Sequence, residues 1–151
     1  MENVQRIEVL NSLIQINNDR IEGYETAANE TDELELKTTF NKLSHTSHLC
    51  KKDLTDTVIK LGGTPTESTK ITGKFFRVWM EVKTALTNKD RKAILNSCEY
   101  GEDAALEVYN DVINDDSALL SDNQQAMIQS QYRLLKIDHD KIKLMRDIVL
   151  L

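Results

Sequence analysis

Two of the three histidines and one of the two cysteines fall within residues 44–50, Ser-His-Thr-Ser-His-Leu-Cys. Imidazole and thiolate are ligands of zinc and other late first-row metals, so metal binding is the chemistry this stretch suggests. The third histidine, His139, follows Asp138, and Glu102 is a further carboxylate that can join them. Two carboxylates and one imidazole form a thin mononuclear ligand set for iron or manganese. Which of these side chains meet depends on the helices that carry them.

Apolar residues recur alternately three and four apart in four long segments, the mark of helices with one buried seam. The first runs Ile7, Leu10, Ile14, Asn17, Ile21, Tyr24, Ala28. The second, opened by Asp32 with Glu35 as its capping-box partner, runs Leu36, Phe40, Leu43, Ser47, Cys50, Leu54, Thr57, Leu61 and stops at Gly62-Gly63. The third runs Ile94, Cys98, Gly101, Ala105, Val108, Val112. The fourth opens at Ser121 with Gln124 as its box partner and runs Ile128, Gln131, Leu135, Asp138, Ile142, Met145, Val149.

A shorter helix over residues 69–87, after a turn capped by Thr64-Pro65-Thr66-Glu67, carries the stripe Ile71, Phe75, Trp79, Val82, Leu86. The first and last links are short and imply antiparallel hairpins. The middle link of nearly thirty residues can return along a helix of about 40 Å, at 1.5 Å per residue. The expectation is therefore an all-α, ferritin-like four-helix bundle, a single domain over residues 1–151. Its long crossover carries the fifth helix and leaves the second and third bundle helices parallel and diagonal.

Every long segment turns polar or small at mid-height: Asn17, Ser47, Gly101, and Gln131 with Asp138. Glu102 and His139 flank these seams. Buried polar groups require internal partners or a ligand. The favoured reading is a register-fixing network of Asn17, Ser47, Glu102, Gln131 and Asp138, with Arg20 and a buried water as further members. The alternative is a metal site built from Glu102, Asp138 and His139. At 100° per residue His45 points roughly 170°, and His48 roughly 130°, away from the second seam, so both are expected at the surface. Cys50 and Cys98 lie on seams, about 9 Å apart along the axis, and are expected as buried free thiols.

Composition narrows the function classes. A net charge of -6 with no basic block argues against nucleic acid. Hydrophobic residues at 40% without an apolar run of about 18 argue against membrane insertion. The start MENVQRIEVLNSL has no signal-peptide pattern, so a cytoplasmic protein is expected. Gly-rich phosphate loops and nucleophile elbows are missing from the sequence.

Four blocks, INNDRIEGYETAA (16–28), LGGTP (61–65), WMEVKTALT (79–87) and ILNSCEYGEDAALEVY (94–109), resemble the signature of a bacterial domain-of-unknown-function family. Its members are assigned to the ferritin-like, rubrerythrin-related superfamily, and the resemblance implies that fold without an activity. The chain departs from ferritins in lacking Glu-x-x-His: Lys42, His45 and Lys136 stand three residues before His45, His48 and His139. Asn17 stands where a ferritin-type first helix carries its glutamate.

The reading favoured on these grounds is a non-enzymatic interaction or stress-associated protein without a complete di-iron site and with no cofactor. A homo-oligomer, with a dimer favoured, is expected from the off-seam Val9, Leu49 and Ile59 and from the habit of related bundles. The sequence names no protein partner. The alternative function is an iron- or manganese-dependent oxidoreductase with a reduced ligand set. A third possibility is a small apolar ligand held beside the crossover helix near Phe76, Trp79 and Met80.

Overall fold

A computed structural model describes residues 2–69 and 73–149, and the described residues are all helical where regular. Helices α1 (Glu2–Glu30), α2 (Leu34–Lys60), α4 (Arg91–Asp115) and α5 (Asp122–Val149) are long, α3 (Gly73–Thr87) is shorter, and a single 3-10 turn spans Ser117–Leu119. Ile71 of the crossover stripe and the side chain of Val149 in the last seam lie outside what is described. None of the described helices is long and apolar enough to cross a membrane.

Local chemistry sets the helix ends. Ser121 and Gln124 form the expected reciprocal box, each backbone N–H donating to the other's side chain at 3.0 and 3.1 Å. Asp90 caps α4 by accepting from Ala93 N–H. α2 ends where Gly62 takes a φ of +85° and Gly63 N–H returns to the Val58 carbonyl, the left-handed stop expected of the Gly-Gly pair. The start of α2 differs from expectation. Its N-cap is Glu33, without a side-chain cap, and Glu35 is not a box partner. The Arg91 guanidinium draws both carboxylates away, at 2.9 Å each, and so ties the start of α4 to the start of α2.

Contacts along the helices define their directions. Glu25 lies by Ser44 and His48, whereas Ile7 lies against Gly63, so α1 and α2 are antiparallel. Asn17 meets Tyr109 and Tyr24 meets Glu102, so α1 and α4 are antiparallel too. Thr57 meets Met127 and Thr39 meets Met145, which gives the same relation between α2 and α5. α2 and α4 therefore run the same way.

Residues 63–69 do not form the capped turn expected there. They are a strap without regular structure that runs along α1. Asn11, Gln15 and Asn18, spaced four and three apart, reach it through Thr64, Thr66 and Ser68. This polar row is the strap's ladder.

Two apolar clusters fill the interior, one around Leu10, Ile14, Leu54, Tyr109 and Ile128, the other around Tyr24, Phe40, Leu95, Cys98 and Ile142. Each fully buried Leu, Ile or Phe contributes roughly 1.5–3 kcal/mol relative to exposure. The crossover helix packs Phe75, Val78, Val82 and Ala85 inward. Gly101 faces this helix and not the polar interior, because a Cβ there would stand 2.9 Å from Val78 Cγ1. Trp79 lies over α1 at Gly23, where a Cβ would stand 2.3 Å from the indole. Gly23→Ala is therefore expected to push α3 outward, costing about 1–3 kcal/mol. Urea unfolding followed by the single tryptophan should show the loss together with a red-shifted native emission; wild-type stability and emission would contradict this packing.

Candidate functional site

Between the two apolar clusters lies a polar layer to which α1, α2, α4 and α5 each contribute. Arg20 of α1 is its centre, 2% exposed. Its Nε and Nη2 donate to the two carboxylate oxygens of Glu102 at 2.9 and 2.8 Å, the planar fork that guanidinium forms with carboxylate. Nη1 donates to Ser47 Oγ at 2.6 Å, and Nη2 also reaches Asp138 Oδ2 at 3.2 Å. Tyr24 donates its hydroxyl to Glu102 at 3.0 Å and offers its ring to the guanidinium at 5.5 Å.

A second chain of hydrogen bonds lies further along the helices. Asn17 Nδ2 donates to Tyr109 Oη, the Tyr109 hydroxyl donates to Gln131 Oε1, and Gln131 Nε2 donates to the Cys50 carbonyl. The network expected among Asn17, Ser47, Glu102, Gln131 and Asp138 thus forms, in two parts.

Electrostatics follow from burial. Desolvation opposes the charge on Arg20, but Glu102, with Asp138 in support, outweighs it and raises the guanidinium pKa above its ordinary value. Burial raises the Asp138 carboxyl despite the opposing pull of Arg20. Tyr24 and Tyr109 are both raised, chiefly by burial, so they act as neutral donors. Cys50 and Cys98 are buried free thiols, as expected; burial pushes Cys50 up to about 11 and raises Cys98 further. Neither is a nucleophile near neutral pH.

The three residues expected to share a metal do not share one position. Glu102 and Asp138 both face Arg20, whereas His139 points to the α4–α5 flank. There its Nε2 lies 2.6 Å from Asp103 and its Nδ1 3.0 Å from Asp140. Both ring nitrogens are thus met by carboxylates, one from α4 and one from α5. Glu99, one turn before Asp103, completes a group with Asp103 and His139 whose ligand atoms all lie within 4.8 Å of one another. Glu99 is also held by Arg146. His45 and His48 are exposed, as their angular placement implies, and His48 pairs with Glu25 at 2.8 Å.

A groove of about 380 Å³ between α1 and α3 is lined by Asp19, Gly23, Phe76, Trp79, Met80 and Leu86, the region singled out for a small apolar ligand. Asp19 is buried there and accepts Trp79 Nε1–H at 2.8 Å. Sequence reasoning missed four members of these sites: Tyr109, Glu99, Asp103 and Asp19. Tyr109 had a signal, since it lies seven residues from Glu102 on the same flank.

Two stability tests follow. Arg20→Met strands the buried Glu102 carboxylate, and a loss of about 3–5 kcal/mol in urea unfolding is expected, largely recovered in Arg20→Met/Glu102→Gln. A single-variant loss no larger than that of a surface change would contradict a buried Arg20–Glu102 pair at the centre of the layer. Burial raises Asp19 from 3.8 to about 6. Between these values the folded state binds the extra proton, so this group's contribution to stability falls as pH rises from about 4 to 6. Asp19→Asn should accordingly be more stable than wild type at neutral pH, by on the order of 2–3 kcal/mol, with the gap closing toward pH 4. A gap that stays constant across that range would contradict a raised Asp19.

A model of one protein family, described as a domain of unknown function (DUF2383), matches residues 5–115. That span includes Arg20, Tyr24, Ser47, Glu102 and Tyr109, and stops short of Gln131, Asp138 and His139. No curated protein matches the chain. With Arg20 and its principal partner Glu102 inside a match that covers most of the sequence, the chain belongs to the DUF2383 family.

Proposed function

We propose that the chain is a ferritin-like four-helix bundle, with α3 on its long crossover, that works as a non-enzymatic interaction protein and not as a di-iron oxidoreductase. The antiparallel neighbours and the parallel α2 and α4 support the topology. One observation carries the functional half. The Arg20 guanidinium stands between the four helices, where di-iron bundles hold metal, and Glu102 and Asp138 both bond to it.

The residues present do not fit a di-iron centre. Such a centre needs about four carboxylates and two inward histidines. Here the interior offers Glu102 and Asp138, and the nearest histidine, His139, faces a different pair of carboxylates. A cation entering the layer would have to expel Arg20 against its bidentate pair.

The metal-binding alternative is favoured by a different observation, the Glu99, Asp103 and His139 group at the α4–α5 flank. Asp140 on the far ring nitrogen would orient the imidazole, as outer carboxylates do for metal-bound histidines. Metal analysis of untagged protein purified from iron- and manganese-supplemented medium separates the readings. The interaction reading expects metal well below one equivalent in wild type. Stoichiometric metal lost in Glu102→Ala would overturn it in favour of an interior site; stoichiometric metal lost in His139→Ala but kept in Glu102→Ala would place the site at the flank.

A further inference from the structure

Helix α5 has more apolar surface than the interior uses. Its inward seam of Ile128, Gln131, Leu135, Ile142 and Met145 is buried, yet Leu134, Ile137, Leu144 and Ile148 are 40%, 64%, 60% and 58% exposed. With Lys141 between them these residues are spaced three, four, three and four apart. They form a second continuous stripe about 21 Å long, displaced by one residue from the seam. The other exposed apolar residues on the long helices, such as Val4, Ile59 and Tyr100, form no comparable row. A 3–4 repeat of Leu and Ile is the seam of a helix that packs against another helix. Among the described residues no helix covers that stripe.

We infer that this outer stripe of α5 is a self-association surface, on which α5 of a second copy lies antiparallel to form a homodimer. The inference rests on the interaction-protein reading above and names its surface. The stripe reads alike from both ends: two branched apolar residues, Lys141, two branched apolar residues. An antiparallel pairing centred on Lys141 sets Leu134 and Ile137 of one copy against Leu144 and Ile148 of the other, twice over. The flanking charges agree with that orientation. Arg133, exposed and without an ion pair among the described residues, comes to Asp147 of the second copy, whose Oδ1 is already met by Arg146 of its own chain at 3.0 Å. A parallel, in-register pairing would instead leave Arg133 and Asp147 about 21 Å apart along the axis. Lys141 of each copy meets Lys141 of the other at the two-fold axis, so each lays its stem across the seam and turns its ammonium outward beside Asp140 of the second copy; a lysine at such a position fixes register at some cost in affinity. A stripe of this length places the dimer at the small end of specific interfaces, so dissociation on dilution is expected.

Sedimentation equilibrium over a wide concentration range tests this. Wild type should rise from the 17.3 kDa monomer toward twice that mass. Ile137→Glu and Leu144→Glu, at positions already exposed in the single chain, should stay monomeric with unchanged helical content and unfolding midpoint at low concentration. Asp147→Arg should weaken association, and Arg133→Asp/Asp147→Arg should restore it. A wild type that remains monomeric at the highest concentration overturns the inference. So does a dimer indifferent to Ile137→Glu, or one in which the charge swap restores nothing. Metal content measured on the same samples keeps the two readings separate: a metal-free monomer sinks only the dimer, whereas a metal-loaded protein sinks the interaction reading whatever its mass.

Discussion

The bidentate contact between Arg20 and Glu102 is the constraint around which the rest of the molecule is arranged. Two charges are held almost without solvent, which costs several kcal/mol per ion before any attraction is counted. The cost is offset only because geometry is good on every side: four donations from the guanidinium, a hydroxyl from Tyr24 on the carboxylate, and aromatic surface over the cation. Sliding any one of the four long helices by a turn would strand one of these groups. The polar layer therefore fixes register more firmly than the two apolar clusters beside it, where one aliphatic contact can replace another.

That constraint reaches the surface through aromatic packing. Tyr24, which holds Glu102, stacks on Phe40 with ring centroids 5.8 Å apart and meets the edge of Trp79 at 5.1 Å. Trp79 in turn donates to the buried Asp19 and crosses α1 where Gly23 leaves room. The crossover helix is thus seated by the residues that orient the interior ion pair, and the groove beside it is shaped by their packing.

Much of this architecture was legible from periodicity, because three-and-four spacing reports burial directly. Most seam positions, the Ser121–Gln124 box, the Gly62 stop and the inward Asn17, Ser47 and Gln131 follow from residue type and angle, whereas Gly101 faces α3 and Val58 is buried where the second seam was expected to run through Thr57. Partner choice was not legible. Arg20 entered the sequence reading as one possible member of a network, since spacing alone cannot say that an arginine will reach two other helices. His139 was grouped with Glu102 and Asp138 because it flanks their seam; one residue of rotation turned it to Asp103 instead. The contacts of Asn11, Gln15 and Asn18 were not legible either, because the strap covering them has no periodicity of its own.

The ion at the middle of this protein is a side chain. A bundle assembled around a diffusible metal has a loaded and an empty form, and its stability moves with supply, chelators and oxidation state. Arg20 is present in every copy from the moment of synthesis, cannot be scavenged and has no redox couple. The positive charge at the polar layer is consequently carried by the sequence itself and does not vary with metal supply.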